Sequence, residues 1–79
     1  MHHVVERSQI KKSGFTKSAI EAPSNKVVLD YHVHRKISGY YSSVTENSHP
    51  LRVRNWLAGR SFEEQTEFGW NIIKKYRGY

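Results

Sequence analysis

Seventy-nine residues, thirteen Lys and Arg against seven Asp and Glu, and no cysteine set the first limits on this chain. They allow one small domain spanning 1–79, exclude a disulfide framework or a cysteine-built zinc ribbon, and leave a net charge of +6 that favours polyanionic partners. The start "MHHVVERSQ" lacks the apolar stretch of a signal peptide, and no run nears the roughly 20 apolar residues of a membrane span, so a soluble cytoplasmic protein is expected.

In chain order, the segments "VVERSQIKKSGF" and "KSAIEA" read as one broken strand or two short ones. "EAPSNK" (21–26) is the clearest break, because Pro, Ser and Asn in succession favour a turn. Next comes "VVLDYHVH", where Val27, Leu29, Tyr31 and Val33 alternate with Asp30, His32 and His34. That period of two predicts a half-buried strand with both histidines on its polar face. "YYSSV" is expected to pair back against it through a turn at 37–39. Together these segments predict an antiparallel β-meander of three to four strands over about 4–44.

The last third reads as helical. Pro50 suits the first turn of a short helix over about 50–58. "SFEE" has the form of a capping box, Ser61 bonding forward and Glu64 back. Beyond it Phe62, Phe68, Trp70, Ile72, Ile73 and Tyr76 fall on one side of a longer amphipathic helix over about 62–76, with acids leading and bases trailing as the helix dipole prefers. The predicted class is α+β, a meander covered by these two helices.

A meander followed by short helices resembles the KTSC domain, a small bacterial and phage module also appended to some lysyl-tRNA synthetases. The residues carrying the resemblance are Ser8, Ile10, Gly14 and Phe15 early in the chain, then "VVLDYHV". The closing set Phe68, Ile72 and Tyr76 follows "AGRS". A central Tyr-x-Tyr-x-x-Val falls on Gly39, Tyr41 and Val44, so its first tyrosine is missing or displaced to Tyr40, and the segment from Phe15 to Val27 is longer than the family's turn. The resemblance implies a small RNA-binding module.

Three functions compete for "DYHVHRKISGYYSS" (30–43). Binding of RNA or single-stranded nucleic acid without catalysis needs cations for phosphate and flat faces for bases. Arg35, Lys36, Arg52, Arg54 and Arg60 supply the first, and Tyr40 and Tyr41 the second. A protein-binding inhibitor or adaptor of phage type is nearly as well supported, with Trp56 and Trp70 as anchors, and a homodimer would help so small a core. The third is a metal-dependent nuclease. His32 and His34 would share one strand face with Asp30, and His49, His2 or His3 would complete the set, although His2 and His3, at the very start, carry no weight in this reading. "HVHRKISG" is similar to the His-x-His…Gly loop of ββα-metal nucleases of the endonuclease VII type. Val33 stands where that family has an acidic residue, its zinc cysteines are lacking, and Asn47 is the nearest asparagine candidate. The leading expectation is the non-catalytic binder, with no cofactor. The sequence has no cysteine nucleophile, Gly-x-Ser-x-Gly elbow or phosphate-cradling glycine loop.

Overall fold

A computed structural model describes residues 2–78. Strand β1 (His2–His3) is followed by helices α1 (Gln9–Ser13) and α2 (Lys17–Glu21) and a 3₁₀ turn (Pro23–Asn25). Strand β2 (Lys26–Val27) then leads into α3 (Tyr31–Ser42), α4 (Val53–Trp56) and α5 (Phe62–Arg77). The two strands pair antiparallel, His2 with Val27 and His3 with Lys26. The expected meander is therefore overturned: among the described residues the protein is mostly helical, with one two-stranded ribbon. No helix among them is long and apolar enough to cross a membrane.

The largest correction falls on residues 31–44. "YHVHRKISGYYS" is a helix; of the strands expected from "VVLDYHVH" and "YYSSV" only Val27, the end of β2, and an isolated bridge from Val44 to Arg52 are extended pairings. Asp30 starts α3 by accepting a hydrogen bond from the His32 amide at 2.8 Å. Val33, Ile37, Tyr40 and Tyr41 then recur at helical spacing and turn toward the core, where Ile37 and Tyr41 are buried. Val33 belongs both to the alternating series and to this one, which made the local pattern ambiguous. Burial against α5 and α4 decides it, because a helix carries all four side chains to one side. Upstream, "QIKKS" and "KSAIE" are single helical turns rather than strands, the second capped by Thr16 accepting from Ala19 N at 3.1 Å.

Near the C-terminus the capping box forms, with Glu64 N donating to Ser61 Oγ at 3.0 Å and Ser61 N to Glu64 Oε1 at 3.3 Å. The helix expected from about residue 50 is shorter. Arg52 is its N-cap, and Pro50 lies in the preceding turn.

Ile72 and Ile73 of α5, Ile37 and Tyr41 of α3, Val53 and Leu57 around α4, and Val4 make one core. Phe68, Trp56, Trp70, Tyr40 and Tyr76 pack against it. Polar side chains tie the N-terminal turns to this body. Ser13 Oγ donates to Gln9 Oε1 at 2.6 Å and accepts from Gln65 Nε2 and Gly59 N, both at 3.0 Å. Gln9 Nε2 in turn donates to Arg54 O at 2.8 Å. Both glutamines are buried, and both are hydrogen-bonded, as burial requires.

Gly69 is where α5 and the chain leaving β1 touch most closely. A Cβ there would collide with the carbonyl oxygen of Val4 and lie 2.8 Å from its Cγ1. Helix propensity favours Gly69→Ala by about 1 kcal/mol, but the obstacle is backbone, which cannot swing aside. The overpacking cost should win. We expect a net loss of about 2 kcal/mol and a melting point about 10 °C lower. A thermal melt as high as that of the unsubstituted protein would refute the close contact.

Candidate functional site

The strand pairing brings the N-terminal histidines onto the first turn of α3. The Nδ1 atoms of His2 and His34 lie 3.1 Å apart, and the two rings meet edge to face at 76°, with centroids 5.2 Å apart. Burial above all, then the neighbouring His34 and His3, lowers the pKa of His2 from 6.5 to about 4. It is therefore neutral at pH 7 and keeps a lone pair. Its other nitrogen, Nε2, is buried without a hydrogen-bond partner.

His3 makes a different contact. Its Nε2 lies 2.8 Å from Glu21 Oε1, at the end of α2. Arg7 Nε and Lys26 Nζ are each 3.8 Å from the same carboxylate. The His3 hydrogen bond foremost, with the charges of Lys26, His3 and Arg7, holds Glu21 below the usual carboxylate range against an opposing desolvation effect. With Nε2 held against Glu21, the carboxylate fixes the orientation of the His3 ring.

Asn25 is the joint beneath these groups. It is buried, its Oδ1 accepts from Val5 N at 2.9 Å, and its Nδ2 donates to Val5 O at 3.1 Å and Ile20 O at 2.8 Å. Its backbone carbonyl also accepts from Val4 N at 2.8 Å. One side chain thus fixes the exit of β1 to the end of α2 and the start of β2, and with them His2, His3 and Glu21. Glu6 is held separately. Arg54 grips it in a two-pronged pair, Nε to Oε1 at 2.9 Å and Nη2 to Oε2 at 2.8 Å, and donates its remaining arm to Ser42 Oγ at 2.9 Å. The Glu6 hydrogen bonds push the pKa of Arg54 up.

His2 and His34 are shared by two clefts. One, of about 110 Å³, is lined by His2, His3, Glu6, Arg7, His34 and Ser38. The other, of about 160 Å³, is lined by His2, Leu29, Tyr31 and His34. Either is far larger than a single water requires.

No family model, curated protein or solved structure matches the chain. What the site can do must be read from its own donors.

Two nitrogens bound to one first-row dication at about 2.1 Å lie roughly 3.0–3.4 Å apart, from right-angled to tetrahedral geometry. The observed 3.1 Å falls inside that interval. Among the described residues no group of three or more His, Cys, Asp or Glu could hold an ion. The 3.1 Å contact is itself a hydrogen bond, one Nδ1 donating to the other, so an ion held there would replace that bond and would have to take its remaining ligands from water or substrate oxygen. Imidazole donors suit zinc, nickel and similar ions better than calcium or magnesium, which prefer oxygen.

The residues anticipated for the site are dispersed. His32 and His34 do not share a face: two residues apart on a helix, they point roughly 200° apart. His34 joins His2, whereas His32 is exposed beside Tyr31, at 6.1 Å between ring centroids. Asp30 is spent on capping α3. Asn47 and His49 are exposed in the turns before α4, and His49 N donates to Thr45 O at 2.8 Å. Tyr41 is 2 % exposed and Tyr40 packs beside Phe68 and Tyr76, so neither offers an open face for a base. Arg35 and Lys36 are exposed on α3, and Arg52 is exposed before α4. Arg54 is committed to Glu6, and Arg60 lies over the Trp56 ring at 4.1 Å. Trp56 and Trp70 are both half-buried against the core.

Sequence reading misses His2, His3, Glu21 and Asn25 as a set. The available signal was their order, two histidines, then "PSN" opening a strand, then a histidine nine residues beyond the asparagine.

Proposed function

We propose that this chain is a metal-dependent phosphodiesterase acting on nucleic acid. His2 and His34 would hold the ion, and His3, oriented by Glu21, would be the general base. The observation that carries this reading is the 3.1 Å approach of two imidazoles from distant parts of the chain, in a cleft that also contains His3 and Arg7. The excess of basic residues supports a polyanionic substrate.

When bound, such an ion would supply positive charge to a phosphoryl oxygen. The remaining work belongs to the protein. His3 takes a proton from water as the water oxygen bonds to phosphorus, and the phosphorus–oxygen bond to the leaving nucleoside breaks. The leaving oxygen takes its proton from solvent. Glu21 keeps the His3 ring turned and favours the imidazolium that forms. Arg7, whose side chain is 67 % exposed at the rim, is placed to pair with phosphate.

The test is incubation of single-stranded RNA, single-stranded DNA and duplex with the protein, first in chelator and then with zinc, nickel, cobalt, manganese or magnesium. Cleavage of at least one substrate is expected with a first-row dication, together with about one ion bound per chain by calorimetry, and none in chelator. Salt-sensitive binding without cleavage under every metal would return the chain to a non-catalytic binder. Failure to bind nucleic acid at all would favour a protein target.

A further inference from the structure

The second cleft, which shares the imidazole pair but not His3, is built differently. Its other walls are Leu29 and Tyr31, an aliphatic side chain and an aromatic ring. Tyr31 is 66 % exposed, although it opens a helix whose other tyrosines, Tyr40 and Tyr41, are drawn into the core. Val28, just before Leu29, is 74 % exposed as well. The Arg35 guanidinium lies 5.9 Å from the Tyr31 ring centroid, one helical turn along α3. So the cation-bearing cleft with His3 and Arg7 and the apolar, aromatic cleft with Tyr31 and Leu29 meet at the same two imidazoles.

We propose that the Tyr31–Leu29 cleft is a nucleobase subsite, which receives the base next to the phosphate held at the imidazole pair and so selects strands in which that base is unpaired. The proposal rests on the phosphodiesterase reading above. A nucleotide joins an anionic phosphate to a flat aromatic base across one sugar, and the two adjoining clefts offer the matching chemistries in that order. Stacking needs an accessible ring face, which Tyr31 has and Tyr40 and Tyr41 lack. A base paired inside a duplex keeps both faces stacked on its neighbours and cannot occupy such a cleft without being flipped out. Arg35 beside the ring adds a cation for the neighbouring backbone or the base face.

The experiment has two arms. In chelator, where no cleavage occurs, a single-stranded DNA carrying 2-aminopurine is titrated with unsubstituted protein, Tyr31→Ala and Tyr31→Phe. Quenching on binding is expected for the unsubstituted protein and the phenylalanine variant, and its loss for the alanine variant, with affinity about 10-fold weaker. With metal, kcat/KM is compared on single strands that are intact or abasic beside the cleavage site. The abasic site should slow the unsubstituted protein about 10-fold and leave Tyr31→Ala indifferent. Equal loss on intact and abasic strands, or quenching that survives in Tyr31→Ala, would overturn the subsite. Absence of cleavage by the unsubstituted protein would instead overturn the phosphodiesterase reading, while the quenching arm still reports on Tyr31. Because Tyr31 is exposed, the variants should keep the helical circular dichroism of the unsubstituted protein.

Discussion

Replacing His34 with alanine should abolish ion binding and lower nucleic-acid cleavage by more than about 100-fold, beyond the loss usual for a residue that only supports a ligand. The pair with His2 is the sole place among the described residues where two imidazole nitrogens approach within 3.1 Å, and His34 is the less buried of the two. Its removal should therefore damage chemistry more than fold. Two companion variants separate the roles. Glu21→Gln should keep the ion in calorimetry and lower kcat by roughly 10- to 100-fold, because the glutamine still touches His3 but no longer favours its charged form. His32→Ala should change neither, since His32 faces away from the pair. If His34→Ala cleaved as fast as the unsubstituted protein at saturating metal, the imidazole pair would not be the reaction centre.

Asn25→Asp should be the most damaging isosteric change to stability. The new carboxylate keeps the shape of the amide but replaces its donating nitrogen with an oxygen facing the carbonyls of Val5 and Ile20. Two buried donations become two oxygen–oxygen repulsions, and a charge is placed where the asparagine was 3 % exposed. The loss should be about 3 kcal/mol or more, against a total of roughly 4–12 kcal/mol for a chain of this length. Chemical denaturation measures it directly, and a midpoint matching that of the unsubstituted protein would refute the role of Asn25 as the joint of the ribbon. Cleavage should fall as well, even where the variant remains folded, because His2, His3 and Glu21 all hang from the segments that Asn25 ties together.

The helix α5 was legible because its signals are local. Ser61 and Glu64 cap it within one turn, and its apolar positions repeat at helical spacing. Residues 27–34 misled because one side chain, Val33, belongs to two periods. Val27, Leu29, Tyr31 and Val33 alternate, while Val33, Ile37, Tyr40 and Tyr41 follow a helix. The arbiter was the core of α4 and α5, which accepts Ile37 and Tyr41 together and leaves Tyr31 outside. For the same reason the exposed ring expected at Tyr40 and Tyr41 is found instead at Tyr31.

By itself the sequence determined a small basic chain without cysteine, a C-terminal amphipathic helix with its capping box, and an unusual supply of histidines around residues 2–3 and 32–34. Only the tertiary structure decided which histidines meet. His2 and His34 are 32 residues apart, and no local pattern links them. Their meeting requires β1 to pair with β2, Asn25 to fasten that pairing, and α3 to turn one face to the core. Each of those conditions depends on where buried surface and hydrogen-bond partners from remote segments converge, a property of the packed chain that adjacent residues do not encode.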